Sequence, residues 1–182
     1  MRPSRRKLLR VFFAAGAVLA VVWLSGVRLF AFPGESMSPT VMPGDCFVGL
    51  VGLWHLRTPQ RFDLLVYDVP PTSQWAARRI PWMKRVVGLP GERIWLAGTD
   101  VFIDGRKLEV AFLHRDPAAR PTAEIERKLG PDEYFLLGDN LDHSFDDSRT
   151  MGPIPRALVR GFVAWVIPTS ARRRAPDHTE RH

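Results

Sequence analysis

A serine in a turn-rich loop and a lysine among apolar residues are the two side chains best suited to chemistry in this sequence. Ser36 lies in the segment 33–45, the serine loop, whose three prolines and two glycines exclude a regular helix or a central strand. Such a loop presents side chains instead of packing them. Lys84 follows 48 residues later in the strand-like run 82–88. A serine hydroxyl beside a lysine amine is the minimal set of groups for Ser/Lys acyl transfer.

A lysine acts as a base only when its amine is neutral. Its ordinary pKa is about 10.4, and lowering it to about 7 disfavours the ammonium form by about 5 kcal/mol. Desolvation by burial supplies shifts of that size. Strand alternation places Lys84 on one face with Trp82 and Val86, and directs Arg85 to the other. The sequence therefore predicts that Lys84 is buried under apolar side chains and touches Ser36. Taken alone, a turn serine and an exposed strand lysine would be ordinary structural residues.

Four blocks of sequence resemble the ordered boxes of signal peptidase I, the membrane-bound Ser/Lys protease family that removes signal peptides from exported proteins. The blocks are Pro-Gly-Glu-Ser-Met-Ser-Pro-Thr (33–40), Arg-Phe-Asp-Leu-Leu-Val-Tyr (61–67), Met-Lys-Arg-Val-Val-Gly-Leu-Pro-Gly-Glu (83–92) and Gly-Asp-Asn…Asp-Ser-Arg (138–149). They occur in the family's order and span most of the chain. The resemblance implies that Ser36 is the nucleophile and Lys84 the general base, with no cofactor.

The last block also implies supporting residues. Counted forward from Gly-Asp-Asn, which contains Asp139, Ser144 matches the serine that hydrogen-bonds the catalytic lysine. Counted back from Asp-Ser-Arg, the block has one residue more than is usual in the family. Asp147 is therefore the better match for the family's aspartate, and Asp146 remains the alternative. We expect these acidic residues to support the site through a pair with Arg149.

The resemblance further implies an oxyanion site and a substrate surface. The amide of Ser36 is one oxyanion donor, whereas Gly34 stands where many members have a serine hydroxyl, so the second donor stays unassigned. Family members cleave after small residues at positions −1 and −3 of an extended substrate that lies beside an apolar surface. The matching apolar residues here are Phe32, Pro33, Met37, Val41 and Met83.

Two other kinds of site receive less support. His143 suggests a rival Ser-His-Asp triad with Ser36 and Asp139, although a histidine in a polar loop is usually exposed. Cys46 is the only cysteine, which excludes an intrachain disulfide, and it is expected to be a small buried hydrophobe. The five histidines show no ligand spacing, so no metal site is predicted.

An apolar segment precedes the serine loop and predicts a membrane anchor. Residues 11–27 carry no charge and would span about 26 Å as a helix, against about 30 Å of hydrocarbon. Leu29–Phe32 extends the span if Arg28 snorkels to the headgroups, which gives an anchor over 11–32. A cleaved signal peptide is the alternative, but no clear Ala-X-Ala site follows the long apolar region.

The distribution of charge bears on both topology and partners. Residues 1–10 carry a net charge of +5 and the tail 171–182 carries +2, so the whole excess of +7 lies at the two ends. By the positive-inside rule, the basic segment 1–10 is cytoplasmic and the later residues are extracytoplasmic. A neutral folded part argues against nucleic acid as a partner. The expected partners are membrane lipid and the signal peptides of exported preproteins.

Short strands separated by turns predict a mainly β fold, in which one N-terminal transmembrane helix precedes an antiparallel, barrel-like catalytic domain. This domain is expected over 33–168, with a small inserted β part over 93–133 and a disordered tail over 169–182. Residues 111–132 are weakly patterned and are predicted to form a loop. The strands are predicted at Cys46–Val51, Asp63–Asp68, 82–88, Arg93–Ala97, 101–110 (a hairpin turning at Asp104-Gly105), Tyr134–Leu137 and Gly161–Ile167.

These observations favour a monomeric signal peptidase anchored in the cell membrane. Two alternatives remain open: a specialised member devoted to one secreted or pilus-type substrate, and an inactive anchored β domain that binds exported peptides. A soluble, self-cleaving repressor is disfavoured by the anchor and by the lack of a DNA-binding helix pair.

Overall fold

The computed structural model describes residues 5, 9–10, 12–14, 16–17, 20, 26–51, 55, 57–74, 82–116 and 123–169. Most of the predicted cytoplasmic segment 1–10, much of the predicted span 11–27 and all but the first residue of the tail 169–182 lie outside these residues. Within the part of the chain that is described, no helix is both long and apolar enough to cross a bilayer.

The described residues fold into short antiparallel strands. These are β1 (Val27–Ala31), β2 (Cys46–Leu50), β3 (Leu64–Tyr67), β4 (Trp82–Gly88), β5 (Arg93–Ala97), β6 (Asp100–Ile103), β7 (Arg106–Leu108), β8 (Ile125–Lys128), β9 (Glu133–Leu137), β10 (Ile154–Pro155) and β11 (Val159–Ile167). A short helix, α1 (Ser148–Met151), precedes β10, and a 3-10 turn (Arg156–Leu158) precedes β11.

The strands form two sheets. The larger has the order β1-β2-β11-β3-β4-β9-β10, and the smaller has the order β7-β6-β5-β8. All strand pairs are antiparallel. The prediction of a mainly antiparallel β protein is therefore confirmed. The strand β4 lies between β3 and β9 near the middle of the larger sheet, which gives Lys84 a rigid support.

Three apolar clusters hold the sheets together. One joins the smaller sheet to β4 and β9, and a second packs the middle strands of the larger sheet around Tyr67 and Tyr134. The third lies under the serine loop and contains Phe32, Met37, Val41, Phe47, Val66 and Met83. The loop that carries Ser36 is thus fixed by its own apolar residues.

The hairpin predicted from Asp104-Gly105 is present between β6 and β7. Asp104 and Gly105 both have positive φ angles, 49° and 80°, as a two-residue type I′ turn requires. A turn also forms at Pro90-Gly91, since Gly91 has a φ of 80° and the Glu92 amide donates to the Leu89 carbonyl. Both turns were predictable because their chemistry is local.

The prediction that the helical anchor extends to residue 32 is wrong, because Val27–Ala31 is a strand and not part of a helix. This strand pairs along its whole length with β2, from Val27 opposite Leu50 to Ala31 opposite Cys46. Arg28 donates to its neighbour's carbonyl, 3.0 Å away. An apolar run of this length does not distinguish a strand from a helical segment, and pairing with an otherwise open strand decides between them.

The loop predicted over 111–132 is also partly wrong, since Ile125–Lys128 forms β8. It pairs with β5 at the edge of the smaller sheet. Its residues are mostly exposed and charged, and Arg93 pairs with Glu126 across the two strands. Charged edge strands are held by backbone pairing and give little hydrophobic periodicity, so the sequence pattern did not reveal this one.

Candidate active site

The serine loop is closed at its base and fixed to the core. The Phe32 amide donates to the Asp45 carbonyl, and the Gly44 amide donates to the Phe32 carbonyl. The buried Asp45 carboxylate accepts bonds from the amides of Met42 and Thr169, at 3.0 and 2.9 Å. Because both ends of the loop are held together, the residues between them are presented in a defined geometry.

Ser36 and Lys84 meet in this geometry. The Lys84 side chain leaves β4 opposite Leu65 and is only 1% exposed, while Ser36 is 8% exposed. The Lys84 Nζ lies 2.8 Å from the Ser36 Oγ. That separation is within hydrogen-bonding distance. The two side chains singled out by their residue types are thus in direct contact, in a place largely closed to water.

Burial and nearby carboxylates act on Lys84 in opposite directions. Desolvation lowers the pKa of Lys84 from its usual value, and the Arg149 guanidinium acts in the same direction. Asp146, whose Oδ1 lies 3.5 Å from the Nζ, and Asp147 raise it. Desolvation is the largest of these influences, so the net pKa of Lys84 is lowered. Burial therefore shifts the balance of Lys84 towards the neutral amine that a general base needs.

The segment from Gly138 to Arg149 packs against both the serine loop and Lys84. Asp147 is fully buried and caps α1, accepting bonds at 3.0 Å from both the amide and the Nε of Arg149. The Ser144 hydroxyl donates to the other Asp147 oxygen at 2.8 Å. The expected pair of an aspartate with Arg149 is thus present in the structure, and Asp147 is the aspartate that makes it.

Asp139 supports the site through a different cation. Its buried carboxylate accepts two bonds from Arg85, at 2.8 and 2.6 Å, and one from the Thr40 hydroxyl at 2.5 Å. The next amide, of Asn140, donates to the Ser36 carbonyl at 3.0 Å. These contacts tie the serine loop, β4 and the Gly138 segment together. Arg85 points away from Lys84, as the strand alternation predicted.

The rival triad is not assembled. The Asp139 carboxylate is bound by Arg85 and Thr40, and the exposed His143 ring has its Nε2 3.5 Å from Glu35 and its Nδ1 3.3 Å from the Asn140 side chain. The amine in contact with Ser36 is that of Lys84. In the described part of the chain, no cluster of three or more His, Cys, Asp or Glu residues could hold a metal ion.

A cavity of about 490 Å³ opens beside Ser36 and Lys84. Three of the predicted substrate-binding residues, Phe32, Pro33 and Met83, line it. Met37 and Val41 are fully buried in the cluster beneath, with Phe32 and Met83. His143 and Asp146, which the sequence suggested for other roles, also line the cavity, and the lining residues that sequence reasoning missed are Phe30, Ala31, Glu35, Phe47 and Trp82. Their patterns were those of ordinary strand and loop residues, and only the pairing of β1 with β2 reveals the position of the first two.

Comparisons with known proteins identify the family of this chain. The family profile described as signal peptidase, peptidase S26, matches residues 5–167. The chain belongs to this family. It is 32% identical over 162 residues to a probable signal peptidase I-2 of Synechocystis, covering 83% of this chain and 71% of that protein. It is 33% identical over 152 residues to a signal peptidase I of Leptolyngbya laminosa, covering 79% and 72%. A crystal structure of a signal peptidase I from Enterococcus faecalis matches 58% of this chain and 97% of its own, with 28% identity and a TM-score of 0.48.

Membership of the signal peptidase family supports the removal of signal peptides from exported proteins as the general activity, and peptide-bond hydrolysis as its chemistry. One detail of the resemblance differs from the described contacts. Ser144 was expected to hydrogen-bond the catalytic lysine, whereas its hydroxyl donates to Asp147, and the Lys84 amine donates to Ser36. The carboxylate nearest to the amine is that of Asp146.

Gly138 lies where its own segment packs closely against the serine loop. A Cβ at this position would lie 2.3 Å from the Ser144 Oγ and 2.5 Å from the Ser36 carbonyl oxygen. We expect Gly138→Ala to lower cleavage more than about tenfold and to destabilise the fold by about 1–3 kcal/mol, because overpacking must displace the serine loop.

The matched control for this substitution is Gly34→Ala, measured by thermal unfolding beside Gly138→Ala. A Cβ at Gly34 would meet only the Phe32 ring, at 3.7 Å, which is ordinary contact. Gly34→Ala should therefore unfold at the wild-type temperature. Equal melting temperatures for the two variants would show that Gly138 does not lie tightly against Ser144 and the Ser36 carbonyl.

Proposed function

We propose that this protein is a membrane-anchored serine endopeptidase that removes N-terminal signal peptides with a Ser36/Lys84 dyad. The observation that carries the proposal is the 2.8 Å contact between the buried Lys84 amine and the Ser36 hydroxyl, at the edge of an open cavity. Membership of the signal peptidase family gives the substrate class. The proposed reaction requires no cofactor.

The proposed reaction begins with the neutral Lys84 amine, which takes the Ser36 hydroxyl proton as the oxygen attacks the substrate carbonyl. The new C–O bond gives a tetrahedral intermediate whose negative oxygen needs donors. We assign one donor to the Ser36 amide; Gly34 contributes no hydroxyl. The ammonium then gives its proton to the departing amine, which leaves a neutral lysine and an acyl-enzyme. Water activated by the same amine releases the signal peptide.

The unpaired side of β4 and the apolar lining of the cavity support an extended substrate with small side chains next to the cleaved bond. The strand β9 pairs with β4 only from Arg85 onwards. Among the described residues, Trp82–Lys84 therefore has no strand paired to it on that side. A peptide backbone could pair there and bring its carbonyl to Ser36. The apolar lining formed by Phe32, Phe47 and Met83 would accept small apolar side chains. We therefore propose cleavage after small residues.

The topology is also part of the proposal. The uncharged residues that precede β1, from residue 11 to residue 26, would form the anchor, with residues 1–10 in the cytoplasm. Only four residues separate the end of β1 from Ser36. Catalysis would then take place close to the extracytoplasmic membrane surface, where a signal peptide's cleavage site emerges. We propose that the enzyme acts there as a monomer.

The pH dependence of cleavage tests the base role of Lys84. Burial lowers the pKa of this amine, so its neutral form should persist to pH values below those of an ordinary lysine. We expect kcat/KM to fall about tenfold per pH unit on the acid side of a single ionisation and to level off above it, with the midpoint below about pH 10.4. A midpoint near pH 10.4 would mean that Lys84 is an ordinary lysine and not the base.

The most direct test of substrate class uses the full chain in detergent micelles with a mixture of exported precursors. The new N-termini should begin after small residues at −1 and −3. Scattered termini would refute the proposed specificity. Cleavage of one precursor alone would favour a specialised member of the family, and tight binding without cleavage would favour a peptide-binding β domain.

A further inference from the structure

The Asp146 carboxylate lies at the base of the cavity without a role in the proposed reaction. Its Oδ1 is 3.5 Å from the Lys84 Nζ, and its side chain is 12% exposed, against 2% for that of Lys84. Asp146 lines the same cavity as Ser36 and Lys84. The lysine amine therefore lies between the serine hydroxyl and this carboxylate.

The position of Asp146 is fixed by a hydrogen bond to its own carbonyl and by hydrogen bonds to the residues on both sides of it. The Tyr67 hydroxyl donates to the Asp146 carbonyl at 3.3 Å, and burial raises the pKa of Tyr67 well above its usual value, which keeps it a neutral donor. The Thr150 hydroxyl donates to the Phe145 carbonyl at 2.7 Å, and Asp147 caps α1. The aspartate is therefore held by its backbone, and its side chain stays directed at the amine.

The other charged groups around Lys84 are engaged elsewhere. Asp147 is bound by Arg149, Ser144 and the Gly138 amide. Arg149 donates to the Leu141 and Ser144 carbonyls as well as to Asp147. Glu35 and His143 form an exposed pair at the mouth of the cavity. Among the described residues, Asp146 is the acidic group that forms an ion pair with Lys84.

We propose that Asp146 is a positioning residue for Lys84, holding the amine against Ser36 and stabilising the ammonium that forms when the amine takes the serine proton. The proposal rests on the proposed function. In each cycle the proton moves from the Ser36 Oγ to the Lys84 Nζ and then to the leaving nitrogen, while Asp146 takes no part in the proton transfer. Its negative charge favours proton transfer to the amine, and the same charge reduces the fraction of neutral amine at low pH.

These two effects predict a distinctive result for Asp146→Asn. The acid limb is the part of the pH profile in which kcat/KM falls as the pH falls. Removing a negative charge this close to Lys84 should move this limb to lower pH by about 1–3 units. The plateau at high pH should fall, because the ammonium is no longer stabilised. The two pH profiles should therefore cross, whereas a merely structural role would lower activity at every pH without moving the limb. Asp146→Glu keeps the charge and should restore the limb to within about half a unit of its wild-type position.

Asp142→Asn is the matched control, since Asp142 belongs to the same loop but contacts Arg115 and the Asp116 amide. Its acid limb should coincide with that of the wild type. An unmoved limb in Asp146→Asn, or a limb displaced to higher pH, would overturn the proposal. If Asp146→Asn unfolds, Asp146→Ser provides the same measurement, with thermal unfolding recorded for each variant.

A direct titration separates this proposal from the proposed function. The ε-methylene NMR signal of Lys84, assigned with Lys84→Met, would be followed against pH in the full chain in micelles. Its midpoint should be at least about one unit lower in Asp146→Asn than in the wild type. Equal midpoints refute the role of Asp146. A shifted midpoint in a protein that cleaves no precursor would support the coupling and refute the peptidase.

Discussion

Replacing Ser36 or Lys84 by alanine should lower precursor cleavage by about 10⁴-fold or more. The hydroxyl of Ser36 is the proposed nucleophile, and no other described hydroxyl receives a hydrogen bond from the Lys84 amine. Because the two groups act as a unit, the double variant should be no slower than the worse of the single variants. Cleavage of a purified precursor, followed by electrophoresis and mass spectrometry, measures both effects.

Two neighbouring substitutions control for this experiment. Ser38→Ala changes a partly buried serine two residues away in the same loop, and Lys107→Met changes an exposed lysine of the smaller sheet. Both variants should cleave at the wild-type rate. If Ser36→Ala retained cleavage while remaining folded, another nucleophile would be at work, and the contact between Ser36 and Lys84 would be structural only.

Asp147→Ala should cause the largest loss of stability among the site substitutions. The carboxylate is fully buried and accepts bonds from Arg149, from the Ser144 hydroxyl and from the Gly138 amide. Its removal leaves the largely buried Arg149 guanidinium without its counter-charge, which typically destabilises a fold by about 3–5 kcal/mol. Thermal unfolding should show a melting temperature lower by roughly 10 °C.

The control for this prediction is Asp68→Ala, which breaks the exposed ion pair with Arg160. Exposed pairs contribute little to stability, so this variant should unfold close to the wild-type temperature. The double variant Asp147→Ala/Arg149→Met removes the stranded charge as well and should recover part of the loss. If Asp147→Ala unfolded at the same temperature as Asp68→Ala, the buried pair would not stabilise the site.

Local chemistry explains most of what the sequence predicted correctly. The Asp104-Gly105 turn follows from residues that tolerate positive φ, and the separation of Lys84 from Arg85 follows from strand alternation. The proximity of Ser36 and Lys84 was inferred from residue type and from resemblance, because their contact joins segments 48 residues apart. Such long-range contacts leave no local signal.

The features that sequence reasoning missed depend on the assembled sheets. The strand nature of Val27–Ala31 is decided by its pairing with β2, and that of Ile125–Lys128 by its pairing with β5. Apolar residues of the serine loop could equally face a ligand or the core, and Met37 and Val41 face the core. The approach of Asp146 to Lys84 depends on where the Tyr67 hydroxyl holds the backbone.

The bond from the Thr169 amide to Asp45 links the last described residue of the fold to the base of the serine loop. The same end of the chain supplies β11, which lies between β2 and β3 in the larger sheet. Translation makes β11 after the serine loop, so the loop is made early and closed late. A chain that stops before β11 contains Ser36 but lacks the strand that completes the larger sheet. Synthesis order alone would therefore delay the assembly of the site until β11 has been made.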